Sequence, residues 1–565
     1  MNLNITAQEA NTYDAIVVGS GISGGWAAKE LTEKGLNVLM LERGRNIEHI
    51  KDYENAMKQP WEFKHRGALT NEQKRTHPVQ TRHGHYNEYN ESFWVNDEEC
   101  PYTEVKRFDW FRGYHVGGRS LMWGRGCLRM GEVDFEANAK DGFGVPWPIG
   151  YRDIAPWYDY VERFAGVNGQ AEGLPQCPDG VFLPPMEMNC VEKEVKKRIE
   201  AHYNRERVLT IFRMANLTVP HNGRGQCQYR NLCARGCPYG AYFSTQSATL
   251  PAAMATGKLT LRPFSVVSEV IYDKEKRRAT GVRIIDAETM ETIEYHSKII
   301  FLNASTLGST YILLNSVSDA FPEGMGNGSG QLGHNLMDHH FRIGATGRFE
   351  GFEDVYYSGR RPASVYIPRY RNLGDEQRDY LRGFGMSGSA SRTGWQKNIA
   401  EMSYAAEVAE RTSPGEWRMG LAGWGETLPY YENKVWLDRA KTDKWGLPLL
   451  TIDAEFKENE RKMRVDMKND AMEMLEIAGL KDITAYDQPS HPGACIHEMG
   501  TARMGIDPKT SVLNKWNQLH EVPNVFVTDG ACMTSTGNQN PSLTYMALTA
   551  RACDYAVNAL KKGDL

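Results

Sequence analysis

The chain has 565 residues, of which 41% are hydrophobic and 24% charged, and a formal net charge of −5. That is the make-up of a globular chain able to bury a sizeable core, of several domains by length, and the acidic balance excludes the basic footprint of a nucleic-acid-binding protein. No apolar run is long enough to span a bilayer, and ten cysteines at this length exclude a disulfide scaffold, so neither an integral membrane protein nor a stapled mini-domain is expected.

Met1 to Thr12 is polar and lacks the basic and apolar regions of a secretory signal. The compartment therefore stays open between the cytoplasm and co-export with a signal-bearing partner. Tyr13 to Arg45 then reads YDAIVVGSGISGGWAAKELTEKGLNVLMLERGR. Ala15 to Val18 suits a buried parallel strand. Gly19, Gly21 and Gly24 form G-x-G-x-x-G. The first permits a tight turn, the second lets a pyrophosphate approach the backbone, and the third lets helix and strand pack closely. Ser23 to Lys34 is expected to be helical with Gly35 as its cap, Leu36 to Leu41 to be the second strand, and Glu42 to stand at its end for an adenosine ribose. Strand, helix, strand and acid fall in register, which marks a dinucleotide-binding unit. The motif by itself does not separate NAD from FAD.

Residues 46–110 are irregular, polar and aromatic. Their His65, His77, His83 and His85 fit no single face and are expected to be surface or cavity-lining histidines, not a metal set. Tyr114 to Arg129 reads YHVGGRSLMWGRGCLR, a glycine-rich loop with Gly117, Gly118 and Ser120 that can lie flat against a planar ligand. Ile154 to Phe164 is expected to be a helix with Pro156 in its first turn and Trp157, Val161 and Phe164 on one face.

The glycine fingerprint, the GGRSLMWGRG loop and the stretch WPIGYRDIAPWYDYVE together resemble the glucose-methanol-choline (GMC) oxidoreductases. The resemblance implies FAD as the cofactor and an α/β chain, α+β overall: a Rossmann-like FAD-binding domain with an inserted antiparallel-sheet substrate domain. It also places Gly118 and Ser120 at the flavin, Val267 at the adenine and Asp529 near the ribityl or pyrophosphate. Some members attach FAD covalently through a histidine in this loop. Met122 stands there in this chain, so non-covalent FAD is expected.

Gly225 to Thr245 reads GQCQYRNLCARGCPYGAYFST. Cys227, Cys233 and Cys237 at C-x5-C-x3-C suit zinc or an iron–sulfur cluster. No fourth cysteine lies nearby for a closed zinc site, and three thiolates suit a three-iron cluster. The segment is similar to that of bacterial FAD-dependent sugar dehydrogenases, whose catalytic subunits carry a [3Fe–4S] cluster.

Leu259 to Val270, Gly281 to Ile285 and Lys298 to Asn303 read as strands, and Gly333 to His339 (GHNLMDH) as an architectural turn. From Phe341 to Pro489 aromatic and polar residues alternate, as at Ser364 to Ile367 and Lys434 to Leu437, which suits an antiparallel roof over the substrate. Asn459 to Ala478 is expected to be a charged helix. The domain division is then 1–340, with the iron–sulfur segment 225–245 and the irregular insertion 46–110, an inserted 341–490, and a resumed 491–565. Glu426 either faces the cavity and binds sugar hydroxyls or is a solvated strand residue.

His491 to Gly505 reads HPGACIHEMGTARMG, and PNVFVTDG runs to Asp529 and Gly530. Asn540 and Pro541 are placed to cap and open a last helix, with Leu543, Met546, Ala547, Ala550, Cys553, Val557 and Leu560 as its apolar face. H-x-x-G-T followed by N-P-S-L-T resembles the family's catalytic His/Asn pair, which carries over to His497 and Asn540. Oxidising an alcohol removes a hydroxyl proton and a hydride. A neutral histidine suits the first task, an amide can orient the oxygen, and the flavin takes the hydride.

The resemblance covers nearly the whole chain. It implies a dehydrogenase of a sugar or glycoside, nearest to enzymes acting on the C3 hydroxyl of pyranosides. Electrons would leave through the cluster to a partner: a small signal-bearing subunit, a cytochrome c or a quinone. Oxidation at C1 of glucose or of another polyol, an oxygen-using oxidase and a non-redox flavin lyase are the alternatives.

Overall fold

The computed structural model describes residues 11–357, 359–392 and 415–565. The β-branched run at the N-terminus forms the strand Thr12–Val18, central in a seven-stranded sheet. It pairs in parallel with Val38–Leu41 on one side and Thr292–Leu302 on the other. Leu259–Arg262 extends the parallel part beyond Val38–Leu41, and Val525–Val527 joins in parallel next to Thr292–Leu302. Ser265–Asp273 and Arg278–Asp286 complete the sheet in antiparallel sense. Between the first two strands runs the helix Ile22–Glu33. Gly35 follows it at φ +99°, and the N–H groups of Gly35 and Leu36 return to the carbonyls of Thr32 and Leu31, so the expected glycine stop is present.

The last helix, Ser542–Lys562, is buried nearly all round in its first half. It packs between the sheet and the helix Tyr151–Ala165, where Tyr158 Oη meets Thr544 Oγ1 at 2.8 Å. Tyr151–Ala165 starts three residues before its expected beginning, so Pro156 lies inside it, not in its first turn. The side chain of Pro156 is exposed, and the buried face runs Ile154, Tyr158, Val161 and Ala165, with Trp157 and Phe164 packed along its margin.

A second sheet has six antiparallel strands in the order Lys481–Asp487, Ile343–Phe349, Trp417–Gly425, Phe384–Arg392, Val365–Ile367, Thr210–Ile211. The helix Glu458–Ile477 buries Met463, Met467, Ala471, Met474 and Leu475 against it, and the helix Cys190–His202 adds Val191, Val195 and Ile199. The alternating segment Lys434 to Leu437 does not join this roof. It belongs to a separate three-stranded sheet with Pro448–Asp453 and Thr103–Glu104, whose core includes Phe108, Trp110, Leu307 and Leu336. Alternation reports a half-buried strand, not which sheet it enters, and here that is decided by the partner from the 46–110 insertion.

Candidate active site

Register places the site. Val18 is level with Leu41 and with Leu302, and Leu302 is level with Val527. The residues that follow these strand ends, Gly19, Glu42, Asn303 and Thr528-Asp529, therefore emerge along one edge. Ligands of open parallel sheets bind outside the carboxyl ends of the strands. A cavity of about 2930 Å³ opens there and extends under the antiparallel roof and along the cysteine segment.

The cradle is built from backbone. Gly19 has φ +94°, and a Cβ on Gly24 would stand 1.9 Å from the Gly19 carbonyl oxygen, so the close helix–strand approach requires glycine. A Cβ on Gly21 would meet nothing within 4 Å and would fill the cavity. Across it stands Gly118 at φ +45°, whose added Cβ would lie 3.5 Å from Gly21 Cα. Ser20 Oγ joins the two walls: it donates to Glu42 Oε2, at 2.5 Å, and accepts from Gly117 N–H at 2.9 Å. Glu42 Oε1 accepts from Gly44 N–H at 3.0 Å. Ser120 Oγ accepts from Thr245 N–H at 3.0 Å, which docks the glycine loop on the segment after the cysteines. Val267, in Ser265–Asp273, also lines the cavity. Asp529 lines it too, but its carboxylate is already engaged with Ser309 Oγ at 2.5 Å and Ala531 N–H at 3.0 Å. Burial pushes Asp529 up to about 6.

Three distant segments meet at the wall of the cavity that His497 and Asn540 line. His497 Nε2 lies 3.4 Å from Asn540 Nδ2, and both residues line the cavity at the start of Ser542–Lys562. Asn540 does not cap that helix. Pro541 occupies the cap position and no side-chain cap bond forms, so the Asn540 amide is free of the structural task expected for it. His497 Nδ1 lies 2.8 Å from His339 Nδ1 and 3.4 Å from Cys495 Sγ. His339 Nε2 lies 2.7 Å from the Gly537 carbonyl oxygen. Asp338 takes the backbone N–H groups of His339 at 2.9 Å, Cys495 at 3.1 Å and His497 at 3.0 Å. These bonds hold the loop in a costly shape, since β-branched Ile496 stands at φ 65°. Burial, with His339 and Arg119 nearby, holds His497 well below the usual histidine value. Burial and Glu498 push Asp338 up to about 8. Trp424 from the roof stands 6.4 Å from the His497 ring and stacks on Phe341 at 5.0 Å.

Two family models, both described as GMC oxidoreductase, match residues 13–341 and 429–549. The chain belongs to the GMC oxidoreductase family. It is 29% identical to the 2-methyl-1,2-propanediol dehydrogenase of Mycolicibacterium austroafricanum, over 97% of this chain and 95% of that protein. It is 26% identical to the fructose dehydrogenase large subunit of Gluconobacter japonicus, over 99% and 100%. With the gluconate 2-dehydrogenase flavoprotein of Pantoea cypripedii it shares 24% identity over 96% and 93%. Among solved structures, pyridoxine 4-oxidase from Mesorbium loti superposes with a TM-score of 0.60 at 16% identity, over 96% of this chain and 98% of that one. GMC proteins bind FAD, and the glycine-walled cavity fits that group. The chain is thus a flavin-dependent oxidoreductase acting on alcohol or sugar groups.

In this GMC oxidoreductase Cys227, Cys233 and Cys237 are half-buried and line the same cavity. The loop that carries them winds through left-handed positions at Tyr229, Asn231 and Gly236, and Tyr229 N–H points at Cys227 Sγ, 3.4 Å away. Among the described residues, the grouping of His, Cys or acid ligand atoms within 4.8 Å of one another is His339, Cys495 and His497, not this trio. Glu426 matches neither of its expected roles. It is buried, pairs with Arg382 at 2.9 Å, and is absent from the cavity wall. His83 and His85 line the cavity and His65 is exposed, as expected, whereas His77 is buried beside Thr76. The fold brings Asp338 and His339, at the end of the expected architectural turn, against His497 and its loop. The sequence signal for them is two ionisable residues abutting a glycine-rich stretch with no amphipathic pattern to explain them. Among the described residues no helix is long and apolar enough to cross a membrane.

Proposed function

We propose that this flavoenzyme oxidises a secondary hydroxyl of a sugar, the C3 hydroxyl of a glucoside or related pyranoside, to a ketone. The observation that carries the reading is the 3.4 Å juxtaposition of His497 Nε2 and Asn540 Nδ2 inside the glycine-walled cavity. His497 takes the hydroxyl proton at Nε2, and its depressed basicity keeps it neutral and ready near pH 7. Asn540 donates its amide N–H to the same oxygen and orients it. The N-terminus of Ser542–Lys562 opens on the cavity and favours negative charge there. FAD, held without a covalent bond by the backbone at Gly19, Gly21 and Gly118 and by Glu42, Ser120, Val267 and Asp529, supplies the hydride acceptor. Trp424 and Phe341 offer a flat apolar wall to the ring of a pyranose, beside the polar pair.

Cys227, Cys233 and Cys237 would ligate a [3Fe–4S] cluster, which supplies one-electron transfer to a partner, either a small signal-bearing subunit or a cytochrome c. In support, all three cysteines line the cofactor cavity and a backbone N–H is aimed at one sulfur. Ligands that surround a multi-iron core also stand farther apart than ligands of a single ion. Relatives named as fructose dehydrogenase large subunit and gluconate 2-dehydrogenase flavoprotein agree with a sugar-oxidising subunit that works with others.

Anaerobic mixing with a panel of pyranosides tests the reaction. Bleaching of the flavin, with the keto carbon located at C3 by NMR, is expected. A flavin left oxidised by every sugar would refute it. Electron paramagnetic resonance of the protein as isolated tests the cluster, and a Cys233→Ser variant should lose the signal. Acid precipitation should leave the flavin in the supernatant.

A further inference from the structure

His339 stands where the two segments bearing the catalytic pair cross. Its Nε2 is 2.7 Å from the Gly537 carbonyl oxygen, which can only accept, so that nitrogen carries a hydrogen. Burial pushes His339 down to about 4 and His497 well below the usual value, so both rings are neutral near pH 7. A neutral imidazole has one N–H. That of His339 goes to Gly537, and its Nδ1 is left with a lone pair. The hydrogen in the 2.8 Å Nδ1···Nδ1 contact therefore belongs to His497. His497 in turn has no second hydrogen, and its Nε2 faces Asn540 as a bare acceptor.

We propose that His339 is a positioning residue that fixes His497 in its Nδ1–H tautomer, leaving Nε2 to accept the substrate proton, and that the same ring ties down the loop carrying Asn540. The proposal rests on His497 being the base. When the alcohol O–H bond breaks and the Nε2–H bond forms, the Nδ1–H bond to His339 stays intact, and the positive charge on His497 meets a neutral acceptor. A carboxylate in that place would raise the basicity of His497, whereas a second imidazole leaves it low, so the proton is easily passed on. His339 also decides a competition. Cys495 Sγ is 3.4 Å from His497 Nδ1, and burial and Asp338 keep its thiol protonated. A hydrogen donated from that sulfur would put the His497 proton on Nε2 and block the base. The imidazole acceptor at 2.8 Å is the stronger partner. Asp338 completes the arrangement by holding the backbone N–H groups of Cys495 and His497, so adjacent residues grip both the loop and its ring.

Two substitutions separate the two bonds, because asparagine places its amide where histidine has Nδ1, and glutamine where it has Nε2. His339→Asn keeps an acceptor for His497 and loses Gly537. His339→Gln keeps the donor to Gly537 and loses the acceptor. In anaerobic stopped-flow mixing with methyl glucoside, the limiting rate of flavin reduction should fall about 10²-fold in His339→Gln, with the apparent Kd for the sugar within about threefold, and stay within about tenfold of wild type in His339→Asn. A His339→Asn variant as slow as or slower than His339→Gln would show a loop anchor only and overturn the proposal. The ¹⁵N spectrum of the histidine-labelled wild type, with His497 assigned by its loss in His497→Ala, gives the same answer without turnover and holds even if the variants lose flavin. Protonated Nδ1 and bare Nε2 are expected at His497, and the reverse overturns the proposal. If no sugar reduces the wild-type flavin, the enzymatic reading fails, while the tautomer measurement still decides this one.

Discussion

The dinucleotide cradle and the proposed proton-transfer centre face one cavity but are made in opposite ways. The cradle comes mainly from residues 12–42, two strands with one turn and one helix between them, and its working parts are glycine backbones whose shape follows from the absence of Cβ atoms. The centre is assembled from residues 338–339, 495–497 and 537–540, far apart in the chain, and its working parts are side chains that hold each other. A site built from local backbone tolerates change outside its own segment. A site built from mutual side-chain bonds depends on every segment that enters it.

Substitutions should expose that difference. Gly24→Val, whose first added atom would stand 1.9 Å from the Gly19 carbonyl, is expected to yield protein with no bound flavin, read from its visible absorbance. His497→Ala should retain flavin and slow its reduction by sugar about 10³-fold, and Asn540→Ala by about 10²-fold, with little change in sugar binding, as measured by stopped-flow absorbance. Flavin loss in these two variants would mean that the centre also supports the cradle. Glu426→Ala removes one of the two carboxylates paired with the buried Arg382, which keeps Asp141, and should cost about 1–2 kcal/mol in chemical denaturation, with the reduction rate within about twofold of wild type. A raised KM for sugar would return Glu426 to the cavity. The smallest effect is expected from pH. The base works when unprotonated, and burial holds His497 well below the usual value, so it stays unprotonated until pH has dropped through that lower value. The limiting rate should therefore vary by less than about twofold from about pH 6 to about pH 8, where an ordinary exposed histidine would lose much of its activity at the acid end.

The elements show the same contrast. The first strand, the helix after it and the glycine stop at Gly35 could be read from residues because each is decided by near neighbours. Pro156 misled the placement of its helix start. A proline inside a helix leaves the carbonyl four residues earlier without its N–H, and whether water can reach that side is a property of the packed molecule. The alternation of Lys434 to Leu437 marks a strand but not its sheet, since its neighbour Pro448–Asp453 pairs in turn with Thr103–Glu104, more than three hundred residues earlier. Asn540 looked like a cap and His497 like a base. One of the two structural alternatives is removed by a single fact, that Pro541 takes the cap position.

From the residues alone came the nucleotide-binding unit and the cysteine trio as a candidate ligand set; family likeness added FAD, the oxidation of an alcohol and the His497–Asn540 pair. Each is carried by short-range spacing, or by a motif whose chemistry needs those residue types together. Tertiary structure alone decided that Glu426 is a buried ion-pair partner, that Asn540 is released from capping, and that Asp338 and His339 hold His497 and its loop. Hydrogen-bond direction between buried side chains depends on distances of about 3 Å between segments that the linear order keeps apart, and only the folded chain sets those distances.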